Sequence, residues 1–133
     1  MNSESGPLTE LIYEGSTIRI EAAVLENGSC PATEFLAQLT DRSQARMEAT
    51  FEKFVTLKAE GKHLSKDKFK QVEDTDFYEF RDPNVRFLCF FQPGRIILTH
   101  GFAKKSQKTP SRELERARSI KKTYEQRRGK SHG

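Results

Sequence analysis

Two cysteines, three histidines and no long apolar run set the first limits on this chain of 133 residues. Cys30 and Cys89 lie far apart and carry no partner motif. A disulfide scaffold and a cysteine zinc site are therefore excluded, and reduced thiols in a cytoplasmic protein are expected. No stretch approaches the ~18 apolar residues of a spanning helix, and the polar N-terminus lacks the apolar core of a signal peptide, so neither a membrane nor a secreted protein is expected. His63, His100 and His132 are too scattered to suggest a metal site, and no metal or other cofactor is expected. A Walker loop, a dinucleotide fingerprint, a His-x-x-x-His pair and a nucleophile elbow are all missing, which leaves most familiar enzyme classes without a motif. Only 35% of the residues are hydrophobic, yet ten Phe and three Tyr supply bulky core material. The length suits one domain.

Charge is unevenly divided. The net charge is only +4, but residues 1–101 carry 12 basic and 16 acidic side chains, whereas residues 102–133 carry 11 and 3. An acidic body followed by a strongly basic segment suggests a polyanionic partner, most often nucleic acid. A solvated tail that only aids solubility has the same composition.

Residues 1–15 read as a flexible arm, with Leu11-Ile12-Tyr13 as a weak candidate strand. Thr17 to Leu25 is β-branched and apolar enough for a first strand, closed by Asn27-Gly28. Pro31 suits the first turn of a short helix and Glu34 its positive end, with Phe35, Leu36 and Leu39 turned inward. Asp41 to Glu60 repeats Met47, Phe51, Phe54 and Val55 on one helical face, and Gly61 is the expected left-handed terminator. These two helices should form an antiparallel hairpin over an apolar sheet. Phe77–Arg81, Val85–Phe91 and Arg95–Phe102 then read as three strands of a meander. Asp82-Pro83-Asn84 and Gln92-Pro93-Gly94 separate them, the second with Gly94 at the positive-φ position of a type II turn. Thr109-Pro110 predicts a cap and first turn for a helix from about 110 to 128. Its apolar stripe is thin (Leu114, Ala117, Ile120, Tyr124), so loose docking or dependence on a partner is expected. The fold class is α+β: an N-terminal strand, a two-helix hairpin, an antiparallel meander and a basic C-terminal helix.

The residues that could carry chemistry are cationic. A two-residue turn at Pro83-Asn84 would place Arg81 directly opposite Arg86 on one face. Like charges so opposed are destabilising unless a carboxylate or a bound anion lies between them. Glu79 shares that face by period two, so a Glu–Arg surface network and an anion site stand as equal alternatives. Lys104, Lys105 and Lys108 follow the last strand and could join the arginines in a basic patch, or form an ordinary basic loop. His100 is the one histidine of the sheet, and a lone strand histidine is more often structural than catalytic.

Phe-Tyr-Glu-Phe-Arg (77–81), Val-Arg-Phe-Leu-Cys-Phe-Phe (85–91) and Ile-Ile-Leu-Thr-His-Gly-Phe-Ala-Lys-Lys-Ser-Gln-Lys-Thr-Pro (96–110) resemble the phage-derived HigB-like branch of the RelE/ParE toxin superfamily. The likeness runs from about Thr17 to about Lys122 and is most specific in the second half. It implies a single RelE-like toxin domain over 16–133 and the toxin of a type II toxin–antitoxin pair, with a cognate antitoxin of helix-turn-helix type as partner. The implied activity is metal-independent cleavage of mRNA at the ribosome. On this reading Arg81 and Arg86 hold the scissile phosphate, Lys104 or Lys105 stabilises the transition state, and His100 is a secondary proton-transfer candidate. Tyr78 or Tyr124 would stack on a base, if not core filler. Lys108, Arg112, Arg116, Lys121 and Lys122 would track RNA phosphates. A ParE-like toxin that inhibits DNA gyrase without cutting RNA, and a non-catalytic RNA-binding module, are the alternatives. The histidine-rich C-terminus of the HigB type is missing; only His132 lies there.

Overall fold

A computed structural model describes residues 6–132, with Ser131 and His132 as backbone only. Residues 1–5 of the arm and the His132 side chain lie outside the described residues. The elements run β1 (Thr9–Glu14), β2 (Arg19–Ala23), α1 (Pro31–Gln38), α2 (Asp41–Ala59), β3 (Phe69–Gln71), β4 (Tyr78–Arg81), β5 (Val85–Gln92), β6 (Arg95–Ala103) and α3 (Ser111–His132). The six strands form one sheet in the order β1-β2-β6-β5-β4-β3, with β2 and β6 parallel and every other neighbouring pair antiparallel. This is the expected α+β architecture with two additions. The end of the arm is the ordered strand β1, and β3 adds an unforeseen edge. No helix among the described residues is long and apolar enough to cross a membrane.

Local chemistry fixes the helix ends. Pro31 occupies the first turn of α1, and the Glu34 carboxylate reaches back to the Cys30 N–H (3.3 Å). The Thr40 hydroxyl caps α2 by accepting from the Ser43 N–H (3.2 Å). Gly61, at φ 74°, closes α2 as the Lys62 N–H donates to the Leu57 carbonyl (2.8 Å). Gly94, at φ 76°, makes the β5–β6 turn.

Apolar layers cover both faces of the sheet. Met47, Phe51, Phe54 and Val55 of α2 meet Ile20, Phe80, Phe87 and Leu98 on one face, with Phe51 edge-on to Phe80 at 5.1 Å. On the other face Ala117, Ile120 and Tyr124 of α3 pack on Phe77, Leu88, Phe90 and Ile97. The thin stripe of α3 thus docks in full, contrary to the loose docking expected. Two long cationic side chains widen it. The Lys121 ammonium lies 5.3 Å from the Phe90 ring centroid. Buried Arg127 donates to the Val24 carbonyl (2.8 Å) and the Pro7 carbonyl (3.2 Å).

Alternation along β6 is broken once. Leu88 pairs with His100 but Cys89 pairs with Leu98, so Thr99 is the extra residue of a β-bulge and donates its hydroxyl to the Leu88 carbonyl (3.2 Å). Ile97 faces α3. Strict alternation would turn His100 to the α2 face; the bulge returns it, together with Phe102, to the α3 face.

Candidate nucleic-acid site

The β4–β5 turn builds the site. The Asp82 carboxylate accepts from the Asn84 and Val85 N–H groups, both at 2.7 Å, and the Asp82 N–H donates to the Val85 carbonyl (3.1 Å). Pro83-Asn84 is therefore the two-residue turn, and Arg81 pairs directly with Arg86. Glu79 lies between them, its Oε1 at 3.7 Å from the Arg81 Nε and 3.9 Å from the Arg86 Nε. Its other oxygen accepts from the Thr109 hydroxyl. The sequence had left a Glu–Arg network and an anion site open. The network is present, and a cavity opens beside it.

The two arginines differ. The Arg86 side chain is 6% exposed and its Nη1 donates to the Asp82 and Val85 carbonyls, the latter at 2.9 Å. Burial, and then the neighbouring Arg81 charge, lowers its pKa; Glu79 and Asp82 oppose the shift. Arg86 is thus committed to the turn it follows. Arg81 is more open, at 14%; its Nη1 donates to the Lys66 carbonyl (3.4 Å) and its Nε faces Glu79 at 3.7 Å. That leaves Arg81 as the guanidinium better able to meet an incoming anion.

A cavity of about 330 Å³ lies over the turn, lined by Lys68, Arg81, Arg86, Lys104 and Gln107 with the Asp67 and Asp82 carboxylates. Four cations against two carboxylates make it an anion-attracting cleft. Lys104 is held there because its N–H donates to the Asn84 carbonyl (2.8 Å). Lys105 is exposed and does not line this cleft. Lys108 lines an adjoining cavity that also includes Arg81. Lys68 and Lys70 escaped the sequence reading with β3, whose three residues carry one apolar side chain. Their place follows only from pairing, Lys70 opposite Glu79.

His100 is not brought to the cleft. It is 0% exposed, with Nδ1 3.1 Å from the Thr99 hydroxyl and Nε2 2.9 Å from the Glu113 carboxylate. Burial pushes its pKa down, the Glu113 hydrogen bond opposing. Its contacts tie β6 to the first turn of α3. Tyr78 stacks on Phe69 (5.3 Å) on the α2 face, and Tyr124 is buried edge-on to Phe90 (5.7 Å), so both are packing residues. Arg112, Arg116 and Lys122 are exposed on α3, and Lys121 is half-buried over Phe77 and Phe90. The predicted cap at Thr109 is displaced by one residue. The Leu114 N–H donates to the Pro110 carbonyl (3.2 Å), so α3 begins after the proline and Thr109 serves Glu79 instead.

A family model described as phage-derived protein Gp49-like matches residues 34–122, from α1 through the first half of α3 and including the whole cleft. The chain belongs to the Gp49-like family. Gp49-like proteins are a family of RelE-like toxins, which is consistent with a toxin of a toxin–antitoxin system and implies an antitoxin partner. No curated protein matches the chain.

Proposed function

We propose that this Gp49-like protein is the toxin of a type II toxin–antitoxin pair and acts as an mRNA endoribonuclease at the ribosome, without a metal, in the cytoplasm. The observation that carries the reading is the juxtaposition of Arg81, Arg86 and Lys104 around one anion-attracting cleft. RNA cleavage through the 2′-OH requires stabilisation of a phosphorane whose oxygens gain charge. Preorganised cations supply it. Arg81 is the phosphate-contacting residue and Lys104 the second cation on the transition state. Arg86 acts behind them, holding the turn and, through Glu79, the orientation of Arg81. Lys105, Lys108, Arg112, Arg116 and Lys122 extend the positive surface toward α3 and attract RNA phosphates without reading sequence. His100 serves the reaction only by fixing the start of α3. The finer placement within the HigB-like branch and an antitoxin of helix-turn-helix type belong to the same proposal.

One observation favours a second reading. Glu79 offsets part of the arginine charge and Arg86 is spent on carbonyls, an arrangement that suits binding as well as cutting. A non-nuclease toxin directed at gyrase, or an RNA-binding module, would use such a cleft only to hold its target. Purified protein added to mRNA with and without translating ribosomes separates these readings. New RNA ends formed on the ribosome support the nuclease; tight binding with intact RNA supports the alternative.

A further inference from the structure

The anion cleft does not stand alone. A second cavity, about 340 Å³, adjoins it between β3, the turn after β3 and the start of α3. Arg81 and Gln107 line both cavities and so form the ridge between them. Volumes of this size are at the small end of ligand sites, enough for one nucleotide unit each.

The two cavities differ in chemistry. Around the first, Pro83 is the lone apolar side chain, and cations outnumber carboxylates four to two. In the second, Val72 and Leu114 give an apolar wall, and Glu73, Asp74 and Glu79 balance Lys70, Arg81 and Lys108. A charge-balanced cavity with an apolar wall cannot compete with its neighbour for a phosphate, but it suits a flat heterocycle. Its acceptors also outnumber its uncharged donors. Gln71 gives one amide N–H to the Thr75 carbonyl (2.8 Å), which leaves its oxygen as an acceptor and its second N–H as a donor. Carboxylates accept from exocyclic base amines, as an acidic side chain does from cytosine N4. On the ridge, the Arg81 side chain is 14% exposed and its Nε lies 3.7 Å from the Glu79 carboxylate.

The geometry points to a base subsite: the cavity between β3 and α3 takes an amine-bearing nucleobase of single-stranded RNA next to the phosphate that meets Arg81. Glu73 and Asp74 select it, and Gln107 lies where base and backbone part. This inference rests on the RNA reading of the cleft and adds to it a preference for adenine, cytosine or guanine over uracil at one position.

The test uses the full chain and fluorescent RNA tetranucleotides made uncleavable by 2′-deoxy substitution, with each base placed in turn at each position and binding followed by anisotropy. At one position, uracil should bind about tenfold more weakly than at least one amine-bearing base. Glu73→Gln combined with Asp74→Asn should bring the four affinities to within about twofold of one another. Equal affinities for all four bases at every position, with binding still lost in Arg81→Ala, would overturn the base subsite and leave the phosphate cleft standing. Discrimination that survives the double substitution would overturn the assignment of the two carboxylates. Absence of Arg81-dependent binding to any tetranucleotide would overturn both subsite and cleft.

Discussion

Arg81 and Arg86 are direct cross-strand partners, yet their guanidiniums do different work. Arg86 donates to the carbonyls of the turn that joins the two strands, while the more exposed Arg81 lines the cleft with its Nε turned to Glu79 and its Nη1 3.4 Å from the Lys66 carbonyl. Opposed like charges are tolerated because Glu79 lies within 3.9 Å of both.

Alanine substitution should therefore separate the pair. Arg81→Ala is expected to lower RNA cleavage by about 10²–10³-fold, the scale of a lost transition-state donor, with a smaller loss of stability than Arg86→Ala because Arg81 is the more exposed of the two. Arg86→Ala should cost about 2–4 kcal/mol of stability, since it strips two turn carbonyls of a donor and leaves Glu79 short of a buried cation. Urea denaturation beside a cleavage assay checks both halves.

Gly101 has no side chain because none fits. A Cβ there would clash with the Phe35 ring and stand 2.8 Å from Phe87. Gly101→Ala should push α1 off β6 and cost about 1–3 kcal/mol, read as a lower melting temperature.

The buried His100 makes stability depend on pH in a definite direction. Its pKa is lowered in the folded protein, so the unfolded chain takes up the proton first. Stability should be intact above the ordinary histidine range and fall as pH drops below about 6.5. Denaturation at pH 7.5 and 5.5 should show this loss, and His100→Gln should reduce it. The two proteins showing the same pH dependence would remove His100 as its source.

Arg127 joins α3 to the chain's beginning. Its donors serve carbonyls of Gly6, Pro7 and Val24. Arg127→Ala is expected to raise hydrogen exchange in residues 6–8 and in the second half of α3 together, while β4–β5 exchange is unchanged.

Much of this arrangement was legible in the sequence because it is local. The two-residue turn at Pro83-Asn84 set the Arg81–Arg86 register, Gly61 and Gly94 took the positive φ expected, and the Phe/Met periodicity of α2 found its sheet. What escaped depends on partners distant in sequence. β3 is three residues long and exists through pairing with β4, so Lys68 and Lys70 gave no signal of their own. The bulge at Thr99 adds one residue to a smooth apolar run, and alternation alone puts His100 on the wrong face. Thr109 reads as a helix cap, but Glu79, thirty residues away, is the stronger claimant for its hydroxyl. Composition suggested that α3 was loosely held; the Arg127 carbonyl contacts that secure it are invisible in a hydrophobic stripe.

Under the proposed function Arg81 meets a phosphodiester that is cut. Its most direct test is the mapping of RNA 5′ ends in cells induced to express the intact protein or its Arg81→Ala variant at equal levels. The wild type should arrest growth and create new ends within translated mRNA, and the variant should abolish both. Growth arrest without new ends, or the same ends from the variant, would overturn that role for Arg81.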